Sequence, residues 1–240
     1  MKSAILFSGG KDSIMALYEA LNRNEDVQYL LSMKSANDES YMFHVPNIHL
    51  TTLLAEALDI KLMLVPTNGV KEKELEDLKL AFQKLKNLGI ETIYTGALYS
   101  IYQKSRIEKL GKELDLKIIS PYWHVDELEY IRKIVSVGFK IIISSVAAYG
   151  LDESWLGRLI DDEAIDELVK LNEKYKINIA FEGGEAESLA IDGPIFKKRI
   201  KILKDRKEWH RDSGVYIIED AILEDKWFIN QFLLKIYLFY

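Results

Sequence analysis

No cysteine occurs anywhere in the 240 residues, and proline is scarce at four. The first absence excludes disulfides, thiolate zinc sites, thiol nucleophiles, persulfide carriers and a built-in cysteine glutaminase. Whatever chemistry the chain performs uses oxygen, nitrogen and backbone groups. Excess positive charge is missing too: 32 basic against 38 acidic residues leave a net charge of −6. Such a balance argues against a surface built mainly to coat nucleic acid or anionic lipid. The chain enters an apolar strand at once, with no basic segment and longer apolar run ahead of it, so no secretory signal is read and the cytoplasm is the expected address. Near the other end, Phe228 to Tyr240 is strongly apolar but interrupted by Asn230, Gln231 and Lys235. It is too short to cross a bilayer and reads as a packing or subunit-contact segment, which leaves room for a homo-oligomer but not a membrane protein.

What is present is enough for a large core, since 48% of the residues are hydrophobic and 29% charged. Short apolar runs at Lys2 to Phe7, Val27 to Met33, Lys61 to Pro66, Glu91 to Thr95 and Lys117 to Ser120 alternate with amphipathic stretches. Between Lys71 and Leu88, for example, Leu75, Leu78, Phe82 and Leu85 line one helical face. Strands rich in Ile, Leu and Val without polar alternation are covered on both faces, so the expected fold is a doubly wound, Rossmann-like α/β parallel sheet. Past Pro121 the texture changes. Helices are expected over Asp126 to Val137 and Asp161 to Tyr175, a strong strand over Lys140 to Val146, and β-like runs at Ile177 to Phe181, Phe196 to Leu203 and Val215 to Ile222. A boundary near Ser120 therefore divides a first domain, 1–120, from a smaller α/β domain, 121–240.

The sharpest motif is Ser8-Gly9-Gly10-Lys11-Asp12-Ser13, between the first strand and a helix. Two glycines let the backbone turn tightly and approach an anion, and the helix start offers unpaired N–H groups at its positive dipole end. Lys11 adds charge and the serines add hydroxyls. This is a phosphate cradle, though not a Walker A loop, whose spacing is absent. Asp12 suits both Mg²⁺ orientation and capping of the helix start. Two further segments carry polar chemistry. Thr95-Gly96 to Arg106 follows a strand and is expected to align Tyr99, Gln103 and Arg106 on one helical stripe. Phe181-Glu182-Gly183-Gly184-Glu185-Ala186-Glu187-Ser188 packs three carboxylates around a Gly-Gly turn, suited to Mg²⁺ or to a cationic group or amine.

The Ser-Gly-Gly-Lys-Asp-Ser run resembles the PP-loop of the N-type ATP pyrophosphatases, which cleave ATP between the α and β phosphates and adenylate a substrate oxygen. With the Glu-Gly-Gly-Glu segment, Ala147 to Gly157, Ser40 to Asn47 and Pro121 to His124, in the same order from Met1 to about Leu223, the chain is similar to the diphthine–ammonia ligase family in its short archaeal form. That resemblance implies an ATP-dependent ligase that adenylates the diphthine carboxylate on translation elongation factor two, whereupon ammonia displaces AMP. ATP and Mg²⁺ are the cofactors implied, and no nucleic acid is expected as a partner. An adenylating enzyme acting on RNA or a small carboxylate, or a nucleotide-sensing module, are the alternatives.

On this reading Lys11, Asp12, Arg106, Glu182 and Glu185 are the candidate catalytic residues. Ser8, Gly9, Gly10, Lys11, Asp12, Ser13, Met33, Gly96 and Gln103 are placed on ATP, and Tyr41, His44, Asn47, Gly183, Gly184 and Glu187 on the substrate. Phe181, Ala186 and Ser188 stand where the family usually carries Gly, an aromatic and Thr.

Overall fold

The computed structural model describes residues 1–35, 46–68 and 73–226. Tyr41, His44 and the apolar segment from Phe228 onward lie outside them. Within the described residues no helix is long and apolar enough to cross a membrane.

Five strands, β1 (Lys2–Leu6), β2 (Asp26–Ser35), β3 (Lys61–Thr67), β4 (Thr92–Tyr94) and β5 (Lys117–Ile119), form one parallel sheet in the order β3-β2-β1-β4-β5. Each corresponds to an apolar run of the sequence. Four helices connect them: α1 (Lys11–Asn22), α2 (Thr51–Leu58), α3 (Lys73–Asn87) and α4 (Ile101–Glu113). One face of the sheet packs Ala4, Leu31 and Ile93 against Leu78, Phe82 and Leu85 of α3 and Ile107 of α4. On the other, Ile5 and Leu30 meet Ile14, Leu17 and Leu54 of α1 and α2. Double coverage explains why these strands lack polar alternation. Strand order reverses direction between β1 and β4, and the crevice at their carboxyl ends is where an open α/β sheet receives a ligand.

The remaining described residues build a second, antiparallel sheet in the order β7-β6-β9-β8 from β6 (Lys140–Val146), β7 (Ala186–Asp192), β8 (Lys198–His210) and β9 (Ser213–Asp225), with α5 (Glu127–Val137) and α6 (Asp162–Tyr175). Its inner residues, among them Phe139, Ile141, Ile143 and Leu189, belong to the same buried cluster as Ile5, Phe7 and Leu17. Tyr18 of α1 meets Phe139 edge to face at 5.6 Å. A single continuous core thus spans the two sheets.

Two expectations are corrected. Ile177 to Phe181 is not a strand, because its backbone amides are taken by side chains instead of a ladder. The Asn178 N–H donates to Glu185 at 2.9 Å, the Ile179 N–H to Glu127 at 3.2 Å, and the Ala180 N–H to the Asn178 carbonyl oxygen Oδ1 at 2.9 Å. Conversely, Ala186 to Ser188, expected to belong to the acidic turn, begins β7, pairing with Val146, Ser145 and Ile143 of β6.

Candidate active site

The phosphate loop sits at the head of β1, where the sequence places it. Gly9 has φ +84°, a conformation glycine adopts freely, and Gly10 precedes the first turn of α1. The serines tie the loop together: the Ser8 N–H donates to Ser13 Oγ at 3.3 Å, Ser13 Oγ donates to the Gly10 carbonyl at 3.1 Å, and the Gly10 N–H donates to Ser8 Oγ at 3.3 Å. A strand from the second sheet joins it. The Lys11 N–H donates to Ser188 Oγ at 3.1 Å and the Ala190 N–H to the Gly9 carbonyl at 2.9 Å. Lys11 is only 3% exposed. Its Nζ donates to Asp12 Oδ2 at 2.7 Å and lies 5.7 Å from the centre of the Phe181 ring, so a carboxylate and an aromatic face hold the ammonium. The other Asp12 oxygen accepts from the Tyr130 hydroxyl at 2.9 Å.

Gly96 closes this corner. A Cβ there would lie 2.5 Å from the Asp12 backbone carbon, so only glycine lets the end of β4 run against the start of α1. Three residues on, the Tyr99 N–H donates to Glu182 Oε2 at 3.3 Å, linking the loop after β4 to the acidic turn. Burial, then the nearby Asp12 carboxylate, raises the Glu182 carboxyl to about 7 against the pull of Lys11. Glu187 reaches water, yet protein surrounds it enough for desolvation to raise it to about 6, with Lys11 opposing and Asp12 adding to the shift. Lys11, Asp12, Glu182 and Glu187 therefore share one electrostatic neighbourhood.

Glu185 has a different place. Its two oxygens accept from the Asn178 N–H at 2.9 Å and the Gly183 N–H at 2.8 Å, so it braces the turn in which Gly184 takes φ +83°. Asn47 clasps β9, donating from Nδ2 to the Tyr216 carbonyl at 2.8 Å and accepting from the Ile218 N–H at 2.9 Å. The Met33 side chain is buried in the core beside α3. Tyr99 falls outside the helical stripe expected of it, because the Ser100 side chain accepts from the Gln103 N–H and caps α4, which starts only at Ile101. Gln103 and Arg106 do lie on α4, with the Arg106 guanidinium 3.5 Å from the centre of the Tyr102 ring.

These residues fit a nucleotide triphosphate: a glycine turn of positive φ, a helix N-terminus and a lysine converge where the sheet order reverses. Among the described residues no group of three or more acidic or histidine side chains is arranged to hold a metal ion by itself.

The family described as Diphthamide synthase N-terminal domain matches residues 1–118, and that described as Diphthamide synthase C-terminal domain matches residues 126–223. The chain belongs to the diphthamide synthase family. A relative named diphthine–ammonia ligase from Schizosaccharomyces pombe is 32% identical over 245 residues, a match that takes in 94% of this chain and 40% of the relative. Another of that name, from Homo sapiens, is 31% identical over 241 residues, covering 92% of this chain and 86% of the relative. The crystal structure titled as a predicted subunit of tRNA methyltransferase from Methanocaldococcus jannaschii superposes with a TM-score of 0.43 at 15% identity, covering 83% of this chain and 99% of its own.

In this member of the diphthamide synthase family, Phe181 and Ser188 both lie beside Lys11. Phe181 adopts φ +65°, a conformation that suits glycine, with its ring buried at 5% exposure. Ser188 keeps a hydroxyl on the Lys11 amide. Sequence reasoning missed Tyr130, whose position beside Ile131 and Ile134 on α5 reads as core; a single hydroxyl in that apolar stripe was the available signal.

Proposed function

We propose that this chain is an ATP-dependent amide ligase that converts the diphthine carboxylate of translation elongation factor two to its amide with ammonia, releasing AMP and pyrophosphate. The observation that carries the reading is the joining of the phosphate loop to the acidic turn's strand through Lys11 and Ser188, which puts Lys11, Asp12, Glu182 and Glu187 in one place.

The reaction has two steps. A substrate carboxylate oxygen attacks the α phosphorus and pyrophosphate leaves; ammonia then attacks the acyl carbon, and AMP leaves as the nitrogen loses a proton. Lys11 and the amides of the loop hold the negative charge of the departing phosphates. Glu182, poised near neutral pH, is the group suited to take the ammonia-derived proton. Glu185 and the glycines at 183 and 184 shape the turn that presents it. Asp12 is the carboxylate that would help hold a Mg²⁺ ion brought in with the triphosphate, and the ion would supply further charge neutralisation. Arg106 and Gln103 face the nucleotide or acyl-adenylate from α4, and Tyr41 and His44 contact the protein substrate. The setting is cytoplasmic.

Incubation with ATP, ammonium and diphthine-bearing elongation factor tests the proposal. AMP should appear in step with amidated protein. ADP as the product, RNA-dependent AMP release, or no substrate-dependent turnover would overturn it.

A further inference from the structure

We infer that Tyr130 is a positioning residue of this centre, its hydroxyl fixing the Asp12 carboxylate and, through it, the Lys11 ammonium at the phosphate loop. The inference deepens the ligase reading and rests on it.

Asp12 stands in the first turn of α1, and its two oxygens have separate partners: Lys11 Nζ at 2.7 Å and the Tyr130 hydroxyl at 2.9 Å. The carboxylate therefore has one tether from the phosphate loop and one from α5, 118 residues further along the chain. Without the second tether it could turn about its side-chain torsions and carry the lysine with it. Its side chain remains 28% exposed, so an edge is left for a ligand.

Tyr130 is built for fixity. It is 1% exposed, its ring tilts against Tyr122 at 5.2 Å between centroids, and it lies on the face of α5 that carries Ile131 and Ile134 into the core. Packing alone would be met by phenylalanine, and burying a hydroxyl without a partner is unfavourable. The hydroxyl is explained by its bond to Asp12. Burial first, and the Asp12 charge next, push the phenol well above its ordinary value, so it remains a donor at any working pH. Because α5 belongs to the second half of the chain and α1 to the first, the bond also makes the geometry of Lys11 depend on how the two halves are packed.

The test compares Tyr130→Phe with Tyr122→Phe in the full chain. Each variant keeps its ring and deletes one hydroxyl; that of Tyr122 donates to Glu19 at 3.3 Å instead of to Asp12. Tyr130→Phe should lower kcat for AMP formation about tenfold with KM for ATP changed by less than about twofold, as expected from losing one hydrogen bond to a charged group whose geometry matters in the transition state. Tyr122→Phe should leave kcat unchanged. Adding Tyr130→Phe to Asp12→Asn should cost nothing further, because the hydroxyl acts through that carboxylate. Wild-type kcat in Tyr130→Phe, equal losses in both tyrosine variants, or additivity with Asp12→Asn would each overturn the inference.

A second readout needs no turnover. The buried Tyr130 hydroxyl proton should give a slowly exchanging proton NMR signal, absent from Tyr130→Phe and displaced in Asp12→Asn. A signal unmoved by Asp12→Asn sinks the positioning role. Failure of the wild-type chain to form AMP while that displacement is seen counts against the ligase reading alone.

Discussion

The Lys11 amide donates to the Ser188 hydroxyl at 3.1 Å, joining residues 177 positions apart. An amide in the first turn of a helix has no partner within the helix and points where an anion binds. In this chain a side chain from β7 meets it, and the Ala190-to-Gly9 bond two residues on makes β7 and the phosphate loop one hydrogen-bonded unit. Ser188→Ala should lower the unfolding midpoint by about 2–4 °C, the equivalent of about 1 kcal/mol in a chain of this size. Ser188→Thr keeps a hydroxyl and should stay near wild type. Scanning calorimetry on the two variants decides: an Ala variant as stable as wild type would mean the hydroxyl does not hold the loop.

The raised carboxyls of Glu182 and Glu187 give stability a definite dependence on pH. Both titrate higher in the folded chain, near 7 and 6, than the ordinary 4.5. Below 4.5 both are protonated in either state and nothing is lost. As pH rises through 6 and 7 the folded chain must carry charges beside Asp12, that of Glu182 in a half-buried place, so stability present in acid is lost. The lowered carboxyls Glu167, Glu219 and Glu224 act in the opposite sense, but below 4.5. Urea midpoints at pH 5 and pH 8 should therefore fall with rising pH for wild type and fall less for Glu182→Gln. Identical slopes for the two chains would refute the assignment.

Phe181 sets a local strain against a packing gain, and magnitudes decide between them. A side chain in the left-handed region costs roughly 1–2 kcal/mol, which glycine would relieve. Deleting a buried phenylalanine ring costs about 3–5 kcal/mol. Phe181→Gly should thus be destabilised on balance, and slower as well, since the ring lies under the Lys11 ammonium at 5.7 Å. Chemical denaturation measures the first effect and ATP-dependent turnover the second. A net gain in stability would show that the ring contributes less than its conformation costs.

The first half of the chain was the more legible because its signals are local. Apolar runs mark β1 to β5, helical spacing marks Leu78, Phe82 and Leu85, and Gly9 and Gly10 announce a tight turn by chemistry alone. The acidic turn was read less well for the opposite reason. Its backbone partners come from afar: Glu127 reaches Ile179 across 52 residues, and Ser188 reaches Lys11 across 177. No window along the chain contains both ends of such a bond. Glu185 likewise looks like a catalytic acid in sequence, and only the Gly183 and Asn178 amides on its oxygens disclose a brace. Asn47, placed on the substrate by its neighbours, holds the β9 backbone from within the fold.

Gly96 offers the sharpest test of how closely the site is built. A methyl group there would meet the Asp12 backbone carbon at 2.5 Å and its carbonyl oxygen at 2.8 Å, and neither can swing aside as a long side chain would. Either β4's end or the start of α1 must retreat. Overpacking of this kind costs about 1–3 kcal/mol, which a chain of this size can survive. The retreat also carries the Lys11–Asp12 pair away from Tyr130 and Ser188. Gly96→Ala is therefore expected to remain folded, with a modestly lower unfolding midpoint, while ATP affinity measured by titration calorimetry drops by at least about tenfold, the loss of roughly 1.4 kcal/mol of phosphate contact. Gly89→Ala, where nothing lies within 4 Å, is the control. At φ +87° a side chain there meets backbone strain in place of the steric overlap at Gly96, and it does not touch the loop, so the variant should lose stability but keep its affinity for ATP. Equal affinities in the two variants would show that the close approach of β4 to α1 does not govern nucleotide binding.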